Sequence, residues 1–222
     1  MTSMKKLVRI IDTETTGVED DDQLVEIASV DWNEGVLENP QQSFVRPSIP
    51  IPPEVSAIHH ITDEMVRDAP VVLEALKPFQ DASIFAAHNA AFDQRFLGFE
   101  GHWVCTYKVA LRLWPEAPNH KNQTLRYWLK LPSPPPEAGA MAHRALYDAW
   151  TTAHIFDRLT TEMSINEMVQ ISKSPALLPK FHFGKHAGVP LGEVPKDYLA
   201  WLVRQDFDED AIHTAQHYLE EA

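Results

Sequence analysis

The stretch IIDTETTGVEDDDQ, Ile10 to Gln23, places six carboxylates in fourteen residues, and its reading decides the fold. With Leu7, Val8 and Arg9 in front of it, LVRII is a short apolar run that ends in acids, the pattern of a buried strand. Asp12 and Glu14 stand two apart at the end of that strand, so their carboxylates leave from one face. Two like charges so close repel and raise a pKa unless a cation neutralises them. A hard divalent ion held by oxygen is the simplest relief. Alone, the D-x-E pair reads more readily as an ordinary strand end with its acids fanning into solvent. Glu19, Asp20, Asp21 and Asp22 follow Gly17 in a turn. Their contiguous order lacks the alternation and the glycine of a calcium loop, which predicts a solvated acidic tip.

Downstream, LVEIASVDW (Leu24–Trp32) is apolar and β-rich, Asn33-Glu34-Gly35 is a tight reversal, and SFVRP (Ser43–Pro47) ends a third strand. The three read as an antiparallel meander. IPIPPEV (Ile49–Val55) predicts a rigid crossing into short helices, with Thr62 and Asp63 as N-cap types and a helical PVVLEALKPF (Pro70–Phe79). SIFAAHN (Ser83–Asn89) is a second buried strand that runs into a helical AFDQRFL, and HWVCT (His102–Thr106) is a fifth. Two amphipathic stretches, YKVALRLW and QTLRYWLKL, precede a loop at PSPPPEAGA (Pro132–Ala140). AHRALYDAWTTAHIFDRLTTE (Ala142–Glu162) then repeats apolar residues at three- and four-residue steps, as a long helix does. The pattern implies an α/β fold, a mixed five-stranded sheet with helices on both faces. After a break at SKSPALLPK, a glycine-rich hairpin and two helices predict a small C-terminal α+β unit. The expected division is residues 1–165 and 166–222.

The chain of 222 residues is long enough for one ordinary domain with a small appendage. Its longest apolar runs, such as Ile84–Ala87, are far too short to span a bilayer, and MTSMKKLVRI shows no apolar leader pattern. Cys105 is the only cysteine, so no internal disulfide forms, which fits a reducing interior and a cytoplasmic location. It reads as a small buried residue with no redox role. The net charge of −13 argues at first against nucleic acid. The segment from 105 to 144 runs the other way, with Lys108, Arg112, Lys121, Arg126, Lys130 and Arg144 against Glu116 and Glu137. That segment is either a phosphate track or the ordinary charged surface of two helices.

Three further residues carry chemistry. Asp93 follows the second buried strand, in the first turn of a helix, where the dipole alone favours a carboxylate. Asp148 lies on an otherwise apolar stretch of the long helix, where a charge is costly unless paired or bound to metal. His143, five residues earlier near the helix start, is a cap or surface residue in isolation. Beside a metal cluster it becomes a natural general base.

As a set, DTETTG, HNAAFD (His88–Asp93) and HRALYD (His143–Asp148), in this order, resemble the three motifs of the DEDDh exonucleases. AIHHIT (Ala57–Thr62) resembles that family's I-H-x-I-T segment. The likeness covers roughly residues 7–160. CTYKVALRLWP and the C-terminal FGKHAGVPLGEVPKDYLAWL resemble the bacterial exonuclease X branch.

The resemblance implies a ribonuclease H-like fold and metal-dependent 3′→5′ removal of nucleoside 5′-monophosphates from single-stranded and duplex DNA ends, with DNA repair as the setting. Two Mg²⁺ ions, with Mn²⁺ able to substitute, are implied roughly 3.5–4 Å apart on Asp12, Glu14, Asp93 and Asp148, with His143 as the general base. Substrate contacts are implied for the Thr13–Gly17 backbone, the Thr15 and Thr16 hydroxyls, Gly17 as a point of close approach, and Phe92 as a stacking ring, against core packing. His59, His88 and Asn89 would line the same pocket or serve as structural hydrogen-bonding residues. Lys108 and Arg112, with Lys121 and Arg126, would contact phosphates. Trp114, Tyr127 and Trp128 are expected in the core. Lys185 of the FGK unit is either a DNA contact or part of a packing module. RNA 3′-end trimming and a polymerase proofreading subunit remain alternatives, and a homodimer stays open.

Overall fold

The computed structural model describes residues 7–139 and 141–220. The lead-in MTSMKK, and Ala140 of the proline-rich loop, lie outside the described residues. Strands β1 (Leu7–Thr15), β2 (Leu24–Asn33), β3 (Val36–Phe44), β4 (Ile84–Ala87) and β5 (His102–Cys105) form one sheet in the order β3-β2-β1-β4-β5. The first three are an antiparallel meander, and β4 and β5 add in parallel beside β1. The reversal between β2 and β3 takes two positive-φ residues, Glu34 (φ 51°) and Gly35 (φ 89°), whose twist matches the strands. β1 runs on past the apolar LVRII, because β2 offers partners throughout: Asp12 stands opposite Ala28, and Glu14 opposite Glu26.

The helices are α1 (Pro53–His59), α2 (Asp63–Val66), α3 (Val72–Ala75), α4 (Ala90–Leu97), α5 (Thr106–Leu113), α6 (Asn122–Trp128), α7 (Ala145–Thr160), α8 (Ile165–Ser172), α9 (Lys196–Leu202) and α10 (Glu209–Glu220). The helix expected over Pro70–Phe79 is only α3 and a 3-10 turn at Lys77–Phe79. Pro78 has no N–H and restricts Lys77, so the α pattern cannot continue. Thr62 precedes α2 without a side-chain cap bond, and the Asp63 carboxylate accepts instead from the Ile51 N–H at 3.0 Å. The long helix starts at Ala145 rather than Ala142. Arg144 before it is extended (φ −129°, ψ 129°), and His143 is left-handed (φ 63°).

Strand alternation sorts the core into two layers. Val8, Ile10, Ala28 and Val30 face α7, whose Phe156 and Leu159 are fully buried, and Trp32 meets Phe156 edge-on at 5.5 Å. Ile11, Ile27 and Phe85 face the other way, onto Phe79 and Leu97, with Phe85 stacked on Trp103 at 5.1 Å. Helices cover both faces, as expected. By the same alternation Asp12 and Glu14 project on the α7 face, and Thr13 on the α4 face.

Met168 and Val169 of α8 belong to the α7-side cluster, and the Ser172 hydroxyl accepts from the Cys105 N–H at 2.7 Å. The division expected at 165/166 thus precedes a helix that packs with the sheet. A separate cluster follows, built from Phe181, Leu191, Val194, Leu199, Leu202, Ala211 and Ala215. Its expected hairpin is a single antiparallel bridge, Lys180 to Pro190, with no strand among the described residues. Pro179 and Pro190 offer no N–H to extend it, and Gly184 (φ 71°) and Gly188 (φ 78°) bend the chain between. Among the described residues no helix is long and apolar enough to cross a membrane.

Candidate active site

β1 and α7 bring three expected residues together. One carboxylate oxygen each from Asp12, Glu14 and Asp148 lies within 4.8 Å of the other two. Asp93, the fourth expected ligand, is not in that group. Its side chain, buried at the start of α4, accepts the Thr13 hydroxyl at 2.8 Å. Thr13 is therefore a tether for Asp93 in this structure rather than an open contact.

The four acids share one unfavourable field. Burial holds the Asp12 carboxyl well above its ordinary value, with Asp148, Asp93, Glu14 and Glu26 adding to it. Burial, then Asp148, Glu26 and Asp93, push Glu14 up to about 8, against a smaller opposing pull from Arg144. Asp93 is raised by burial to about 7 despite the Thr13 hydrogen bond. Asp148 is raised by burial, opposed by the His143 N–H and the Gln123 amide. Raised carboxyls this close together are what a divalent cation relieves, and a set of hard oxygen donors suits Mg²⁺ or Mn²⁺. The nearest guanidinium cannot substitute, because Arg144 is held by Glu26.

Glu26 was not singled out in the sequence, and Arg144 only as one of the basic residues of 105–144, yet the two carry the His143 segment. Fully buried Glu26 accepts Arg144 Nε at 3.1 Å and Nη2 at 2.6 Å, a two-pronged pair, together with the Ala145 N–H at 2.9 Å. A lone acid in the apolar run LVEIASV was the available signal. His143 itself is exposed, and its backbone N–H donates to Asp148 Oδ2 at 2.8 Å. Gln123 Nε2 donates to Asp148 Oδ1 at 2.9 Å. Both oxygens of Asp148 are thus oriented by protein donors, and one of them fixes the residue that bears the imidazole. For Gln123 the sequence held no signal.

The acidic tip is more ordered than a solvated loop. Thr16 donates to Asp22 Oδ1 at 2.7 Å, and the Glu19 N–H donates to Oδ2 at 2.8 Å. The Thr16 hydroxyl, then the Glu19 N–H, hold the Asp22 carboxyl below its ordinary value. A Cβ at Gly17 would collide with the Asp22 carboxylate, so Gly17 makes room for Asp22, not only for a ligand. Thr15 donates to the Gly17 carbonyl at 2.5 Å. Arg95, also unflagged, donates to the Val18 carbonyl at 2.6 Å and pairs with Asp20 at 3.3 Å, binding the loop to α4. Glu19, Asp20 and Asp21 keep the solvated role expected for all four acids, Asp20 with a surface ion pair to Arg95, and only Asp22 departs from it.

The remaining expected contacts divide. Phe92 is half-buried, outside the core clusters, 5.0 Å from Phe96 and beneath Arg95. His59 is buried, and its Nδ1 accepts the Ile61 N–H at 3.0 Å. That acceptor role puts the proton on Nε2, which has no hydrogen-bond partner and sits by the Thr15 backbone. His88 is spent: Nδ1 meets the Thr106 hydroxyl at 2.9 Å, Nε2 meets the His120 carbonyl at 2.8 Å, and burial pushes its pKa down to about 4. Asn89 is exposed in a left-handed conformation and faces, with His88, a cavity toward the C-terminal cluster. Lys108 Nζ donates to the Ser174 carbonyl at 2.7 Å, tying α5 to the chain after α8. Arg126 is buried on Ser133 and Gln123, against the Tyr127 ring. Neither is a free phosphate contact. Arg112 is exposed. Trp114 is buried as expected, whereas Tyr127 is exposed.

Comparison with known proteins follows the same lines. The profile of the family described as Exonuclease (RNase_T) matches residues 10–156, which hold all five catalytic candidates. Exodeoxyribonuclease 10 of Escherichia coli (strain K12) is 38% identical over 222 residues, covering 96% of this chain and 99% of that protein. The solved structure of exonuclease X in complex with 5′ overhanging duplex DNA is 40% identical, with a TM-score of 0.68 over 74% of this chain and 99% of that one. The nuclease domain of a DEDDh family member bound to rAMP shares the fold at 18% identity, with a TM-score of 0.60 over 72% of this chain and 94% of that one. On the profile match and the near full-length likeness, this chain belongs to the exonuclease family that its three motifs resemble.

Proposed function

We propose that this protein is a 3′→5′ exodeoxyribonuclease that uses Mg²⁺, or Mn²⁺ in its place, to release nucleoside 5′-monophosphates from DNA ends, with end processing in DNA repair as its setting. The observation that carries the reading is the meeting of Asp12, Glu14 and Asp148 within 4.8 Å, beside His143, on a chain 38% identical to an exodeoxyribonuclease. Asp12, Glu14 and Asp148 would hold the divalent ions, with Asp93 supporting from α4. Bound metal supplies charge neutralisation at the scissile phosphate and acidifies water.

The chain's own residues do the rest. The His143 imidazole takes the proton of the attacking water. The water oxygen bonds to phosphorus in line, and the bond from phosphorus to the 3′ oxygen of the preceding nucleotide breaks. The 3′ oxygen of the shortened strand takes a proton from solvent and becomes a hydroxyl, and the released nucleotide keeps the phosphate. Phe92 offers a ring face to the terminal base. The Nε2–H of His59, buried beside the Thr15 backbone without a well-formed hydrogen bond, is placed to reach an oxygen of the terminal nucleotide.

The test is digestion of end-labelled single-stranded, duplex and mismatched DNA alongside matched RNA, with Mg²⁺, Mn²⁺ or chelator. Metal-dependent mononucleotide release from DNA 3′ ends supports the reading. RNA degraded faster than DNA would assign RNA trimming instead, and full activity in chelator would falsify the metal role.

A further inference from the structure

Between the sheet body and the C-terminal cluster lies a cavity of about 510 Å³, in the range of small-molecule sites. Its floor is apolar, formed by Leu111 of α5 with Leu178 and Pro179. Its rim carries two cations, Lys121, just before α6, and Lys180, and His182 joins them in the lining. Among the described residues none of the three forms an ion pair. In a chain of net charge −13, two lysines without an ion pair at one cavity point to an anionic occupant. The one carboxylate in the wall, Asp210, has one oxygen on the Ala176 N–H at 2.6 Å and keeps its charge, which, after burial, helps raise the Tyr107 hydroxyl, so the two lysines exceed it by one. Tyr107 adds an aromatic wall, edge-on to His88 at 5.9 Å and to His120 at 6.4 Å.

An apolar floor and an aromatic side beneath a cationic rim match one chemical class, a nucleoside phosphate. We propose that this cavity is a nucleotide-binding site separate from the Asp12–Glu14–Asp148 cluster, with the base against Leu111, Leu178 and Tyr107 and the phosphate on Lys121 and Lys180. Base faces bind aromatic and apolar surfaces without regard to sequence, and lysine suits a phosphate as a point charge. The occupant is either the mononucleotide that the reaction releases or a nucleotide within a strand held away from the cleaved end. Lys180, Leu178 and Pro179 lie beyond the 10–156 family match, so the C-terminal cluster completes the site.

The full-length Asp12→Ala protein in excess EDTA separates this site from catalysis, because neither metal nor turnover contributes. Titration calorimetry would follow dAMP and, separately, a decathymidylate. The Lys121→Ala/Lys180→Ala double variant is expected to weaken binding at least tenfold. Leu178→Trp, which fills the floor and leaves the charges, is expected to do the same, with circular dichroism confirming that both fold. Loss of dAMP affinity assigns the free nucleotide. Loss of decathymidylate affinity, with dAMP not bound by any variant, assigns a nucleotide within a strand. The proposal is overturned if both variants bind both probes as the parent does, if the parent binds neither, or if inorganic phosphate competes as well as dAMP.

Discussion

Asp12 and His143 serve different chemistry, and their replacement separates the two. Asp12→Ala removes a metal ligand, and kcat is expected to fall by about a thousandfold or more, with divalent-ion binding weakened in calorimetry. His143→Ala removes only the proton acceptor, so ion binding persists while kcat falls about a hundred- to ten-thousandfold. The four acids also make a pH prediction. Glu14 moves from 4.5 to about 8 and Asp93 from 3.8 to about 7 in the metal-free fold. Between those limits the folded chain binds more protons than the unfolded one, so stability falls as pH rises through the window. In chelator, the melting temperature is expected to be lower near pH 8 than near pH 5.5, and Mg²⁺ or Mn²⁺ should raise it more at the higher pH. An equal metal-induced shift at both pH values would sink this account. At this scale the catalytic acids and His143 were legible because their spacing forms motifs. Asp22 was not, because its order comes from Thr16 and the Glu19 N–H, which only the folded turn brings to it.

Elements explain how the site keeps its shape. β1 supplies Asp12 and Glu14 by period-two alternation, while the segment before α7 is held by a residue from another strand. Glu26 reaches Arg144 and Ala145 across 118 and 119 positions of sequence. Arg144→Ala leaves Glu26 buried without its cation, with only the Gln42 amide and the Ala145 N–H as donors, and is expected to destabilise the fold by about 3 kcal/mol in denaturant titration. It should also lower kcat, because the His143 segment loses its anchor. Arg144→Lys is expected to rescue little, since a point charge cannot make both contacts. In the β1–β2 turn, Asp22→Ala frees Thr16 and the Glu19 N–H, and KM for DNA should change more than kcat. An unchanged KM on every DNA substrate would refute a role for this turn at the strand. Element types were readable from periodicity. The N-terminus of α7 was not, because left-handed His143 and extended Arg144 break the helical backbone there, and Glu26 caps the Ala145 N–H that follows.

At the level of the whole molecule, two cores make different predictions. Phe156 is fully buried between α7 and the sheet, and Phe181 in the C-terminal cluster. Phe156→Ala is expected to cost about 3–5 kcal/mol and to lower protection throughout the sheet in hydrogen exchange. Phe181→Ala should raise exchange over roughly residues 176–219 and leave the β1–β2 amides protected. Global loss in both variants would show one cooperative unit. The sequence by itself determined the strand order of types, the two-faced burial of β1, the three acidic motifs and hence the family. Each is a local pattern that reports which face a side chain occupies and what chemistry it brings. Tertiary structure alone decided which of those groups are free. Lys108, Arg126 and His88 became structural, Asp93 was drawn to Thr13, and Lys121 was left facing a cavity with Lys180. The physical reason is that a hydrogen bond or ion pair depends on distance in space, and these partners lie anywhere from 3 to 80 residues apart along the chain.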